Sequence, residues 1–111
     1  MTRPPTLSPS ETSEKLRGSG FRHASGSLTA AFRTPDFATG ARLVADVAEI
    51  AETMNHHPDV TLGWGSVTFS LTSHDAGGVT ARDLELARLI TRAAAALGIE
   101  PDPAGGEPED D

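Results

Sequence analysis

Three of the four histidines stand where the chain pattern breaks, and histidine is the side chain whose ordinary pKa suits proton transfer near neutrality. His56 and His57 precede Pro58, between a helical stretch and a strand-like one, and proline biases the residue before it away from helical geometry. His74 lies between a strand-like run and the pair Gly77-Gly78. Loops held by a rigid scaffold concentrate catalytic groups, so these rings are candidates for a general acid and a general base working together. On composition alone, exposed loop histidines are the more ordinary reading. A metal site is a rival, since the histidines with Asp59 and Asp75 are ligand types for zinc or a non-haem metal. The spacing speaks against it: adjacent His56-His57 do not easily converge on one ion, and neither an HExxH helix nor a cysteine pair is present. No metal is expected.

The elements that must position these groups follow from pattern. Ser10 can cap a short helix through Glu11, Glu14 and Leu16, ended by Gly18-Ser19-Gly20. Phe21–Ala24 and Ser27–Arg33 read as a hairpin about Ser25-Gly26. Thr34-Pro35-Asp36 is a helix start, with Thr34 as the cap, and Gly40, Ala41, Val44, Val47, Ala48, Ala51 and Met54 keep the helical period to a stop near Asn55. Asp59–Trp64 and Val67–Thr72 form a second hairpin, the latter alternating Val, Phe and Leu with hydroxyl residues. Thr80-Ala81-Arg82-Asp83 resembles a capping box for a last helix, with Leu86, Ala87, Ile90, Ala94 and Leu97 on one face and Gly98 at its end. The order helix, two strands, helix, two strands, helix predicts an α+β domain: a four-stranded antiparallel sheet with helices packed on one face.

The 111 residues suffice for one domain and a single site. Residues 1–9 read as a flexible leader, 10–99 as the domain and 100–111 as a disordered acidic tail, since residues 100–111 hold six acids and no base. Residues 1–99 carry nine bases and ten acids, so the net charge of −7 belongs to the tail, and no basic patch invites nucleic acid. There is no cysteine, no apolar run approaching the roughly 20 residues of a membrane span and no apolar signal core, which makes a cytoplasmic location the default and a membrane partner unexpected.

The spacing around the histidines is more specific than their number. Glu52-x-x-x-His56-His57-Pro58, five residues to Trp64, nine more to His74 and eight more to Asp83 resembles the signature of the pterin-4a-carbinolamine dehydratase family. The flanks Ala51–Asp59 and Leu71–Ala87, with Leu28, Phe32 and Asp36-Phe37 upstream, extend the resemblance over residues 7–97. It implies a lyase that dehydrates 4a-hydroxytetrahydrobiopterin to quinonoid dihydrobiopterin, in recycling of the cofactor used by aromatic amino-acid hydroxylases, with neither metal nor bound cofactor. By carry-over, His56, His57 and His74 line the site and His56 and His74 exchange protons. His57 then orients the hydroxyl, Glu52 polarises His56, Pro58 fixes the loop, and backbone groups of Ser73, Asp75 and Ala76 hold the pterin edge. The chain departs from many members at Val60, where an aromatic is usual, at Leu62-Gly63-Trp64-Gly65, and at Phe21 in place of tryptophan.

Plainer readings stand beside these. Trp64 reads as a partly buried packing residue, Thr80 and Asp83 as capping groups, Gly77-Gly78 as a turn and His23 as structural or exposed. A non-catalytic dimerisation module of the same fold is the alternative function, because relatives in the family act as dimerisation cofactors for a transcription factor. The resemblance also implies a homodimer or homotetramer joined through edge strands, a pterin as the small-molecule partner and a hydroxylase as the metabolic one.

Overall fold

The computed structural model describes residues 5–102. The elements run α1 (Pro9–Ser13), β1 (Arg22–Ala24), β2 (Ser27–Arg33), α2 (Phe37–Met54), β3 (Asp59–Leu62), β4 (Ser66–Leu71), α3 (Ala81–Ala96) and β5 (Glu100–Pro101). The fold is α+β, as the pattern predicts, but the antiparallel sheet has five strands rather than four: β1-β2-β4-β3, with β5 also on β2. The fifth strand has a simple cause. β1 covers only Ser27–Thr29 of β2, leaving the same side of Phe32 and Arg33 open for Pro101 and Glu100. Ile99, buried in the core, anchors this return, and the amide of Asp102 donates to the Ala31 carbonyl at 2.9 Å. Residues 100–102 thus belong to the fold and not to the tail expected there; residues 103–111 lie outside the described residues.

The start of the domain is also earlier than expected. Ser8, not Ser10, caps α1 through a capping box with Glu11, and the Leu7 amide donates to the Val79 carbonyl at 2.8 Å. Of the nine residues read as a leader, Leu7, Ser8 and Pro9 are held by these bonds, while residues 1–4 lie outside the described residues. The cap of α2 is Asp36, whose Oδ1 accepts from the Thr39 amide at 2.8 Å, instead of Thr34. A carboxylate two residues later serves the helix dipole better, and Thr34 turns inward among the buried residues.

The turns between strands obey residue chemistry. Ser25 and Gly26 have φ of 55° and 79°, the left-handed pair that a two-residue hairpin matching strand twist requires. Buried Leu28, Ala30 and Phe32 of β2 and Val67, Phe69 and Leu71 of β4 alternate toward the helices. Phe32 meets Phe21 and Phe69 edge-on, with ring centroids 6.2 and 5.9 Å apart. α2 buries Gly40, Leu43, Val47 and Ala51, spaced three, four and four, so Leu43 faces the core while Ala48, read as core, is exposed. α3 buries Leu86, Ala87, Ile90 and Ala94, and also Asp83. Trp64, at the tip of the β3–β4 turn, is 77% exposed, contrary to its reading as a packing residue: the flanking glycines carry it beyond the reach of the core. No helix among the described residues is long and apolar enough to cross a membrane.

His23 serves this architecture. The Thr12 hydroxyl proton is directed at the Pro9 carbonyl (3.1 Å), which leaves Oγ1 to accept from His23 Nδ1–H at 2.8 Å and ties α1 to β1. Burial lowers the His23 pKa below 6.5, with the Asp83 charge pulling the other way. A folded-state pKa below the unfolded one means that the unfolded chain binds the extra proton first. Stability is therefore held above pH 6.5 and lost as pH falls through the folded-state value. Thermal unfolding across this range is expected to show a decline that His23→Gln flattens; an unchanged pH profile in the variant would refute the assignment. A second test addresses β5. Gly20 has φ of +83° and a Cβ there would lie 2.4 Å from Pro101 Cβ. Gly20→Ala is expected to cost at least about 1 kcal/mol in urea unfolding, through backbone strain and displacement of β5.

Candidate active site

The C-terminus of α2 decides where the two adjacent histidines go. Asn55 adopts the left-handed conformation (φ 54°) and the His56 amide donates back to the Ala51 carbonyl at 3.0 Å, closing the helix with a reversal of direction. His56 is thereby turned inward, 8% exposed, and His57 outward. The two rings then meet different carboxylates. His56 Nε2 lies 2.6 Å from Asp83 Oδ1, and His57 Nε2 lies 2.6 Å from Glu52 Oε2. Glu52, expected to polarise His56, thus pairs with His57, because the chain reversal at Asn55 points His56 away from its own helix.

Asp83 is the residue that sequence reasoning undervalued. It is 0% exposed, and besides His56 its Oδ2 accepts from the Ser73 hydroxyl at 2.8 Å and from the Thr80 amide at 2.9 Å. The Ser73 and Thr80 hydroxyls lie 2.9 Å apart. The capping box read at Thr80–Asp83 is present, but one carboxylate both caps α3 and holds a histidine. A carboxylate that accepts at Oδ1 places the proton of His56 on Nε2 and leaves Nδ1 as the free ring nitrogen. The only sequence signal for this role was the spacing of eight from His74 to Asp83.

His74 sits in a loop closed on itself. The Ser73 amide donates to the Gly78 carbonyl at 3.0 Å, and the Ser73 carbonyl accepts from the amides of Ala76 and Gly77 at 3.1 and 2.9 Å. Gly77, at φ +81°, makes the turn. The backbone groups of Ser73 expected to hold a substrate edge are therefore spent within the loop, and its side chain belongs to the buried network. Ala76 is buried, whereas His74 and Asp75 are exposed. Arg82 donates to Asp75 Oδ1 at 2.6 Å, bracing the loop against α3, and this hydrogen bond holds the Asp75 carboxyl below the ordinary carboxylate range. Pro58 is half-buried and leads straight into β3. Beside Glu52 and His57 a hollow of about 170 Å³ is walled by Val44, Ala48, Pro58 and Val60. Among the described residues no three His, Asp or Glu side chains cluster as a metal set.

The chain resembles known proteins along most of its length. The sequence profile of the pterin 4 alpha carbinolamine dehydratase family matches residues 5–93. The chain belongs to that family. A protein of Roseiflexus sp. (strain RS-1) named for the pterin-4-alpha-carbinolamine dehydratases is 40% identical over 85 residues, 76% of this chain and 91% of the relative. A counterpart so named in Mycolicibacterium smegmatis is 42% identical over 73 residues, 66% of this chain and 78% of the relative. Among solved structures, a transcriptional coactivator/pterin dehydratase from Brucella melitensis superposes with a TM-score of 0.75 at 31% identity, covering 81% of this chain and 99% of that one. The α+β fold is thus that of a pterin dehydratase.

The two carboxylate–histidine pairs of this family member differ in weight. Asp83→Ala would leave the His56, Ser73 and Thr80 donors buried without an acceptor and is expected to destabilise the protein by about 3 kcal/mol in urea unfolding. Glu52→Ala removes an exposed pair and is expected to change stability by less than about 1 kcal/mol. Equal effects of the two substitutions would contradict this division.

Proposed function

We propose that the chain is a lyase that dehydrates 4a-hydroxytetrahydrobiopterin to quinonoid dihydrobiopterin and water, by histidine acid–base catalysis. The reading rests above all on the Asp83-held His56 within a signature that keeps His57 and His74. In the reaction a base removes the N5 proton, the electron pair closes the C4a=N5 double bond, and the C4a–O bond breaks as an acid protonates the departing hydroxyl. Both proton transfers suit imidazole, the side chain that exchanges a proton most readily near neutrality. His56, with Nε2–H donated to Asp83, has Nδ1 to accept the N5 proton, as a carboxylate-oriented histidine does in a hydrolase triad. His74, exposed in the closed loop, is the acid. His57, held by Glu52, orients the 4a-hydroxyl, and the apolar hollow beside it receives part of the flat substrate.

The metabolic setting follows from the chemistry. Such a substrate arises where an aromatic amino-acid hydroxylase oxidises tetrahydrobiopterin, so the role is recycling of that cofactor in the cytoplasm. The edge position of β3, with Val60 exposed on it, supports a homodimer or homotetramer built by strand pairing between copies. A second reading, a binding module without turnover, draws on the coactivator half of the Brucella neighbour's name.

Generating the hydroxypterin in situ with a purified aromatic amino-acid hydroxylase, and following quinonoid dihydropterin with and without this protein, tests the proposal. Wild type is expected to accelerate the step, and His56→Ala and His74→Ala to lose at least about tenfold, or about 1.4 kcal/mol of transition-state stabilisation. A folded wild type without effect would sink the enzymatic reading in favour of the binding module.

A further inference from the structure

A larger hollow, of about 630 Å³, lies between the turn that follows α1 and the outer side of α3, and no histidine lines it. Its volume is that of a small-molecule site, for which roughly 300–1,000 Å³ is usual. Ala81, Leu84, Arg88 and Thr91 succeed one another at helical spacing, so one face of α3 forms a wall about 15 Å long. The opposite wall is fixed in place. The Ser19 hydroxyl donates to the Leu16 carbonyl at 2.7 Å and accepts from the Phe21 amide at 3.0 Å, and Gly18, at φ +80°, makes the turn. The two walls meet at Thr91, whose hydroxyl donates to the Ala87 carbonyl at 2.8 Å and lies 3.4 Å from the Ser19 carbonyl.

Leu16, Leu84 and Ala87 give the hollow an apolar floor, and Lys15, Arg17, Arg88 and Arg92 line it with Glu85 as the one acid. Four of the nine bases of a chain with net charge −7 thus gather at one face. Glu85 holds Arg88 at 2.6 Å and Glu14 holds Arg17 at 3.2 Å. The Arg88 hydrogen bond, with the charges of Arg88 and Arg92, keeps the Glu85 carboxyl below the ordinary carboxylate range. Lys15 and Arg92 form no salt bridge among the described residues.

We propose that this hollow binds a soluble phosphate monoester with an apolar body. Lys15 and Arg92 hold the phosphate beside Arg17 and Arg88, and the body lies on Leu16, Leu84 and Ala87. Charge decides the head group. Four bases against Glu14 and Glu85 leave a surplus of two positive charges. A phosphate monoester carries about −1.5 to −2 near neutrality, whereas a carboxylate carries a single charge. Arginine also presents forked donors that match two phosphate oxygens. The leucine and alanine floor decides the rest, since it favours carbon over a further charge. The inference is independent of the catalytic reading.

Titrating isotope-labelled protein with hexyl phosphate at low ionic strength, and following the backbone amide signals, tests the proposal. Saturable shifts are expected at residues 15–19 and 81–92. Hexanoate, with a similar tail and one charge, and inorganic phosphate, with the charge and no tail, are each expected to bind at least about tenfold more weakly. The Lys15→Gln/Arg92→Gln double variant removes two exposed bases and no core residue, and is expected to weaken hexyl phosphate at least about tenfold with the rest of the spectrum unchanged. No saturation in the millimolar range, shifts spread evenly over the surface, or shifts centred on His57 and the 73–78 loop would overturn the proposal. Equal binding of inorganic phosphate would overturn it by reducing the site to an adventitious ion only. Tighter binding of a tetraglutamate peptide would also overturn it, making the occupant an acidic protein segment.

Discussion

One buried carboxylate ties together the interior of the candidate site. Asp83 sits at the first turn of α3, yet it reaches the histidine that ends α2 and the serine that ends the β4 strand region. Three separate stretches of chain therefore converge on a group that is wholly excluded from solvent. Desolvating a carboxylate costs several kcal/mol, which only a full set of donors offsets. Here the imidazole, a hydroxyl and a backbone amide supply it, each hydrogen bond to a charged group contributing about 1.5–3 kcal/mol. The network holds the fold and orients the ring with the same bonds.

That convergence requires the layers to be held closely. Gly40 lets α2 approach the sheet, since a Cβ there would come within 2.9 Å of Leu62 and 3.1 Å of Val67. The edge-on stack of Phe21, Phe32 and Phe69 fills the space between sheet and helices. Around this core the site is asymmetric: His56 is fixed from within, whereas the Glu52–His57 pair and the His74 loop face solvent, where substrate can arrive.

The contrast between the two histidine pairs shows why neighbours in sequence need not share a role. His56 and His57 are adjacent, yet a single left-handed residue, Asn55, sends one into the core and the other to the surface. The family resemblance, with Glu52 one helical turn before His56, suggested that pair. The helix ends too soon for that geometry, and it is His57 that folds back over the last turn.

Much of the molecule was legible in the sequence. Alternation in 66–71, the Ser25-Gly26 turn, the Thr80 capping box and the period of residues 86–97 are local properties, governed by strand pleat, φ preference and helix repeat, so they determined the order of elements and the α+β class. The spacing of His56, His57, His74 and Asp83 pointed to the family. What local rules do not contain is which groups meet across the fold. The fifth strand exists because β1 is too short to cover β2; Trp64 is exposed because its turn leaves the core; Asp83 is the centre of a buried network because three distant segments pack there. These outcomes depend on long-range contacts and burial, and a buried polar group acquires its partners only when the tertiary structure has closed around it.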